Sequence, residues 1–151
     1  MKKGMLSMSS LVVLIILITN LTVFAQEVVI PAVVQATFEN KYPNAIDVNW
    51  DQDGEEFLAG FEEGDYYLEV TISEDGTWVQ TFAGIFLEDL PTAAQQLIKQ
   101  KYVVEEYNGI SKVTTPQQIR FYVNFETTKQ AVSLSFDEHG KLVETEVEDF
   151  E

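Results

Sequence analysis

A short phrase occurs twice in the chain. Ile30-Pro31 is followed ten residues after the proline by Lys41-Tyr42, and Leu90-Pro91 is followed at the same distance by Lys101-Tyr102. Between these markers apolar residues recur every four positions: Val34, Phe38 and Tyr42 in one copy, Ala94, Ile98 and Tyr102 in the other. That spacing lines each trio along one face of a helix. The proline suits a first helical turn, where its missing N–H costs nothing. A helix with one apolar stripe must lay it on something, so the stretch behind each copy decides the fold.

Behind the first helix the period changes from 3.6 to two. Ile46, Val48 and Trp50 alternate with polar residues, then Phe57, Ala59 and Phe61, then Tyr66, Leu68, Val70 and Ile72, and a fourth strand is expected near Thr77 to Phe82. Turn chemistry separates them at Asp51 to Gly54, Glu62-Glu63-Gly64 and Asp75-Gly76. The second copy follows the same order, its strands displaced by 64 residues where its helix is displaced by 60. Phe57, Ala59 and Phe61 return as Phe121, Val123 and Phe125. Leu68, Val70 and Ile72 return as Val132, Leu134 and Phe136, and Gly76 returns as Gly140. The weakest correspondence is the first strand, where Tyr107 to Val113 replaces Ile46 to Trp50. Agreement in residue type and strand parity points to an internal duplication.

Such regular alternation implies an antiparallel sheet with one buried and one wet face. The expected fold is α+β: tandem helix-plus-four-strand repeats, about 28–82 and 88–147, forming one antiparallel sheet with two helices packed on one face. Phe57, Phe61, Leu68, Val70, Phe121, Phe125, Leu134 and Phe136 should meet Val34, Phe38, Leu97 and Ile98 in the core. Val147 to Glu151 is expected to fray.

Residues 1–25 stand outside this scheme. Lys2 and Lys3, an apolar run from Leu11 to Ile18, and Val23-Phe24-Ala25 have the layout of a secretory signal peptide, leaving a domain over 26–151. The apolar run is short for a membrane span. A lipid-anchored export signal needs a cysteine, and the chain has none. Without Lys2 and Lys3, seven basic residues face 25 acidic ones, a net charge of −18. Such a field repels nucleic-acid phosphates and anionic lipid, and favours a cationic protein partner. The reading is therefore periplasmic or secreted, with no nucleic acid and no membrane contact after signal cleavage.

The proline-initiated helix ending in Lys41-Tyr42-Pro43-Asn44-Ala45, then Val48-Asn49-Trp50, then a strand running into Asp75-Gly76-Thr77-Trp78, resembles the PepSY-like family of small exported bacterial domains, also described as β-lactamase-inhibitor-like. The resemblance implies an exported protein without catalytic residues that binds or inhibits other proteins. The second copy departs from the pattern, with Val103 for the proline and Leu142 at the place of Trp78.

Chemistry finds little footing. The one histidine, His139, falls in a hairpin turn at the position matching Asp75, and no nucleophile, zinc or phosphate-loop motif occurs. Carboxylate pairs such as Glu55/Glu56 and Glu62/Glu63 lie in or beside turns, where water keeps them alike. Asn49 to Gly54 matches the opening of a calcium loop, but its twelfth position is Gly60 in place of the closing glutamate. A hairpin turn is preferred there, with a calcium-handling acidic protein as the alternative. No catalytic residue, metal ligand or cofactor is assigned.

The wet face of the sheet remains. By parity it carries Asp47, Asn49, Glu56, Leu58, Tyr67, Glu69 and Thr71, then Arg120, Tyr122 and Asn124. Aromatic residues among charged neighbours suit a protein interface. Trp78 joins this face if its hairpin loop has two or four residues, and the core if the loop has three with a glycine bulge. The outer position is preferred because Val79/Thr81 and Val143/Thr145 then face inward together. The partner-binding set is thus Leu58, Tyr67, Glu69, Trp78, Arg120 and Tyr122.

Overall fold

The computed structural model describes residues 28–151, so the expected signal segment lies outside the described residues. Pro31 and Pro91 each stand immediately before a helix, α1 over Ala32–Lys41 and α2 over Thr92–Lys101. The proline carbonyls accept the first intrahelical bonds, from Gln35 at 3.0 Å and from Ala94 at 2.9 Å. Lysines in the last turns, Lys41 in α1 and Lys99 and Lys101 in α2, complement the helix dipole. Each helix buries a pair four residues apart: Val34 and Phe38, and Ala94 and Ile98.

Eight strands follow in sequence order: β1 (Asn49–Asp53), β2 (Glu56–Glu63), β3 (Tyr66–Ser73), β4 (Trp78–Gly84), β5 (Glu106–Thr114), β6 (Ile119–Glu126), β7 (Gln130–Asp137) and β8 (Leu142–Asp149). α1 precedes β1, and α2 sits between β4 and β5 behind a short 3-10 turn at Leu87–Asp89. The strands form one open antiparallel sheet in the order β1 to β8, an α+β fold. Residues directly opposite in neighbouring strands share a face. Ala83 lies opposite Lys112, and Lys112 opposite Phe121. The core residues of both halves therefore look to one side, where both helices lie.

Two clusters of buried side chains fill that side. One gathers Val34, Phe38, Phe57, Ala59, Phe61, Leu68, Val70, Ile72 and Ala83. The other gathers Leu90, Ala94, Ile98, Phe121, Val123, Phe125, Val132, Leu134 and Phe136. Ile85 packs against both. Each valine, leucine, isoleucine or phenylalanine buried in this way stabilises by about 1.5–3 kcal/mol, which accounts for a fold without disulfides. Leu97 is only partly buried, at the margin of the second cluster.

Three expectations are corrected. β1 begins at Asn49, three residues later than Ile46, because Asp47 adopts φ 54° and breaks the extended run. The C-terminal stretch does not fray through Asp149: Gln130 to Phe136 hold β8, and the Phe150 N–H reaches the Lys129 carbonyl at 2.8 Å.

The third concerns Trp78, which belongs to the helix-covered face. The β3–β4 loop has three residues, Glu74 to Gly76, closed by Gly76 N–H to Ser73 O and Ser73 N–H to Thr77 O. Gly76 takes φ 86°. One residue on, Val79 bulges out of the ladder, so Trp78 opposes Ile72 while Gln80 opposes Thr71. The bulge lets Trp78 and Thr81 face the same side, which uninterrupted alternation forbids. The indole N–H donates to Thr81 Oγ1 at 3.1 Å, and Lys41 Nζ stands 3.8 Å from the ring centroid.

The β7–β8 turn is built alike. Gly140 takes φ 80°, Val143 bulges, and Leu142 opposes Phe136. In both turns the glycine leaves room for a helix start. A Cβ on Gly76 would lie 2.5 Å from Val33 Cγ2, and one on Gly140 would lie 2.9 Å from the Ala94 backbone nitrogen.

Candidate functional site: the open face of the sheet

Cross-strand register assembles the face opposite the helices. One line across it runs Asn49, Gly60, Glu69, Phe82, Val113, Arg120 and Asp137. The next holds Glu62 and Tyr67, then Gly84, Ser111, Tyr122, Ser135 and Glu144. On the other side of the first line lie Asp51, Leu58, Thr71 and Gln80. Five of the six residues expected at the site share this face: Leu58, Tyr67, Glu69, Arg120 and Tyr122. Trp78 does not.

Tyr67 and Tyr122 are 47 % and 40 % exposed. They stand three strand spacings apart, about 14 Å, with the small residues Gly84 and Ser111 between them. Tyr67 leans over Gly60, where a Cβ would fall 2.6 Å from its hydroxyl. Beside this line Phe82 and Val113 face each other, both half-buried. These two complete an apolar centre that the selected set omits. Phe82 was readable by parity from the inward Ala83. Val113 was hidden because β5 has no clean match in the first half.

Carboxylates flank the centre: Asp51, Asp53, Glu56, Glu62 and Glu69 on β1 to β3, and Asp137, Glu144, Glu146 and Glu148 on β7 and β8. Among the described strand positions of this face, Arg120 is the one basic residue, its Nη2 donating to Gln118 Oε1 at 2.9 Å. A shallow depression of about 250 Å³ lies between Tyr122, Asn124, Ser133, Ser135, Glu144 and Glu146.

Asp75 and Asp137 are pushed below the ordinary carboxylate range, the reverse of what a general acid requires. Asp75 accepts from the Ser73 hydroxyl and the Thr77 N–H. Asp137 accepts from the N–H groups of Lys141 and His139. His139 sits in the expected turn with its ring exposed, 3.6 Å from Glu138. Asn49, Asp51 and Asp53 extend from alternate positions of β1, about 7 Å apart, so the Asn49 to Gly54 stretch forms a strand and a hairpin turn, not a coordinating loop. Among the described residues no three acidic or histidine side chains gather as for a metal ion.

No protein-family model matches the sequence, and no curated protein matches it. Solved structures do match. A DUF2874 family protein from Bacteroides ovatus superposes with TM-score 0.70 at 23 % identity, over 80 % of this chain and 89 % of that one. A BLIP-like protein from Bacteroides fragilis gives TM-score 0.66 at 22 % identity, over 81 % and 89 %. A presumed periplasmic protein from Bacteroides eggerthii gives 0.70 at 18 % identity, over 80 % and 90 %. The chain has a BLIP-like fold. At these identities the likeness is one of fold alone, and it extends to the BLIP-like sheet without singling out the PepSY-like family.

Proposed function

We propose that the protein is an exported, non-catalytic binding module that presents the open face of its BLIP-like sheet to a protein partner, a cationic one by preference. One observation carries this reading: both helices cover one side, and the other side holds Tyr67, Phe82, Val113 and Tyr122 at its centre between two acidic flanks. Exposed aromatic groups on a rigid sheet suit a contact surface. Export is supported by the signal-like residues 1–25 and by the presumed periplasmic neighbour. No described helix is long and apolar enough to cross a membrane. The halves are read as tandem repeats, about 28–82 and 88–147, supported by their common element order and common hairpin turns. No cofactor enters the proposal.

The test is affinity capture from a native periplasmic extract with partners identified by mass spectrometry. Tyr67→Ser with Tyr122→Ser should remove the specific partner while thermal unfolding stays unchanged. Trp78→Leu, on the helix side, should leave capture intact. Equal capture by the tyrosine double variant and the wild type rejects the open face.

A further inference from the structure

The two border strands of the sheet are not alike. β1 has five residues, and the Gln52 N–H is already taken by the neighbouring carboxylate, Asp51 Oδ1 at 2.8 Å. β8 has eight residues, contains no proline, and keeps its register with β7 as far as Asp149, where Gln130 Nε2 donates to Asp149 Oδ1 at 2.7 Å. In an antiparallel ladder, hydrogen-bonded pairs alternate with pairs that turn their backbone groups away from each other. The bond from Phe150 N–H to Lys129 O sets the phase. Counting back through the register, Glu148, Glu146 and Glu144 direct their backbone groups to β7, while Val147 and Thr145 direct theirs outward. Among the described residues no strand meets them.

The side chains divide by the same count. The three glutamates stand on the open face, and Thr145 and Val147 stand on the helix side, beside the buried Leu134 and Val132. Val147 is 49 % exposed and continues the core outward to the border. An incoming strand would hydrogen-bond to Thr145 and Val147. Its alternate residues would then lie opposite the glutamates, in the pairs whose side chains come closest. Opposite charges stabilise such pairs and like charges destabilise them. A second copy of this chain offers only acidic borders and is turned away. A strand with lysine or arginine at alternate positions and a β-branched residue between them suits both faces.

We propose that the outer edge of β8 is a strand-addition site for a protein partner, taking an extended segment in which basic residues alternate with apolar ones. The site needs neither Tyr67 nor Tyr122 and is probed with peptides, so its failure and the failure of the open-face reading are separate results.

Backbone amide resonances would be followed by NMR during titration with a short capped peptide that alternates lysine and valine. Two further peptides serve as controls. One is N-methylated at its valines, which keeps the charge and removes the strand donors, and the other has glutamate for lysine. Saturable shifts and slowed exchange at the Thr145 and Val147 amides are expected with the unmodified lysine peptide alone. Val147→Pro removes an N–H that β7 does not use, a change edge strands tolerate, and should remove these shifts. Glu146→Gln, which leaves the backbone intact, should weaken binding by about 1.4- to fivefold. Equal binding of the N-methylated peptide would reduce the interaction to bulk charge and overturn the site, as would shifts centred on β1 or on Tyr67 and Tyr122. Unchanged affinity of either variant does the same.

Discussion

The two halves share a plan and differ in what surrounds it. In the first, α1 closes over aromatic rings: Phe38 meets Trp50 edge-on at 5.1 Å and Phe61 at 5.4 Å, with Tyr42 against Phe61 at 5.2 Å. In the second, Ile98 takes the place of Phe38 and Leu142 that of Trp78, and ring contacts shrink to Tyr102 and Tyr107 against Phe125. The strands differ by position. β1 is a five-residue edge strand, whereas its counterpart β5 has nine residues and is paired on both sides. β4 is interior and half-buried, whereas β8 is an edge and almost wholly exposed. Strand length and exposure differ between the halves where their neighbours differ.

The largest test of this contrast lies in the cores. Phe38→Ala is expected to cost about 3–5 kcal/mol, and Ile98→Ala about 2–5 kcal/mol. Phe38 should be the more damaging, because its removal also breaks ring-to-ring contacts worth about 0.5–1.5 kcal/mol each. Urea unfolding gives the size, and amide exchange gives the location: protection should fall mainly in β1 to β4 for Phe38→Ala and mainly in β5 to β8 for Ile98→Ala. Equal loss across all eight strands would show the clusters to be one core.

The hairpin glycines come next. Alanine in place of either must hold a positive φ and displace a helix start, at about 1–3 kcal/mol. Gly140→Ala should be the costlier, because its Cβ would meet the Ala94 backbone, whereas at Gly76 the nearest atom is the Val33 Cγ2 methyl. Denaturation midpoints of the two variants decide this.

The smallest effect tests a compensation. The N–H of Thr77 and its counterpart Lys141 each donate to a carboxylate at 2.9 Å, but the acid comes from Asp75 in one turn and from Asp137 in the other. Where the first turn has Ser73 and Asp75, the second has Asp137 and His139. Both carboxyls are lowered in the folded state. Their stabilisation is thus complete above the unfolded carboxyl value, near 3.9, and is lost as pH falls through the folded value. Asp75→His should lower the urea midpoint at neutral pH and remove this turn's share of the acid dependence. Adding Ser73→Asp should restore both. No recovery would mean that the two turns are not interchangeable.

Much of this was legible beforehand, because period-two alternation is a direct record of burial. Phe57, Ala59 and Phe61, with Phe121, Val123 and Phe125, face the helices as their spacing implies. The misreadings arose where the backbone departs from regularity. Asp47 turns the chain at a positive φ, and the bulge at Val79 sends Trp78 to the other side. A single skipped residue reverses facing, and side-chain patterns alone carry no marker for it. On the open face Leu58, Tyr67, Glu69, Arg120 and Tyr122 followed from parity, while Val113 depended on knowing which strand β5 would pair with.

The rims of the sheet have a consequence of their own. β1 turns Asn49, Asp51 and Asp53 to the open face, and β8 turns Glu144, Glu146 and Glu148 to it, and among the described residues each of these strands has one side of its backbone without a neighbour. Two copies meeting rim to rim would bring like charges into register along the seam. Zippering into an endless ribbon is thereby opposed, and the molecule can keep a broad bare surface without polymerising through its borders.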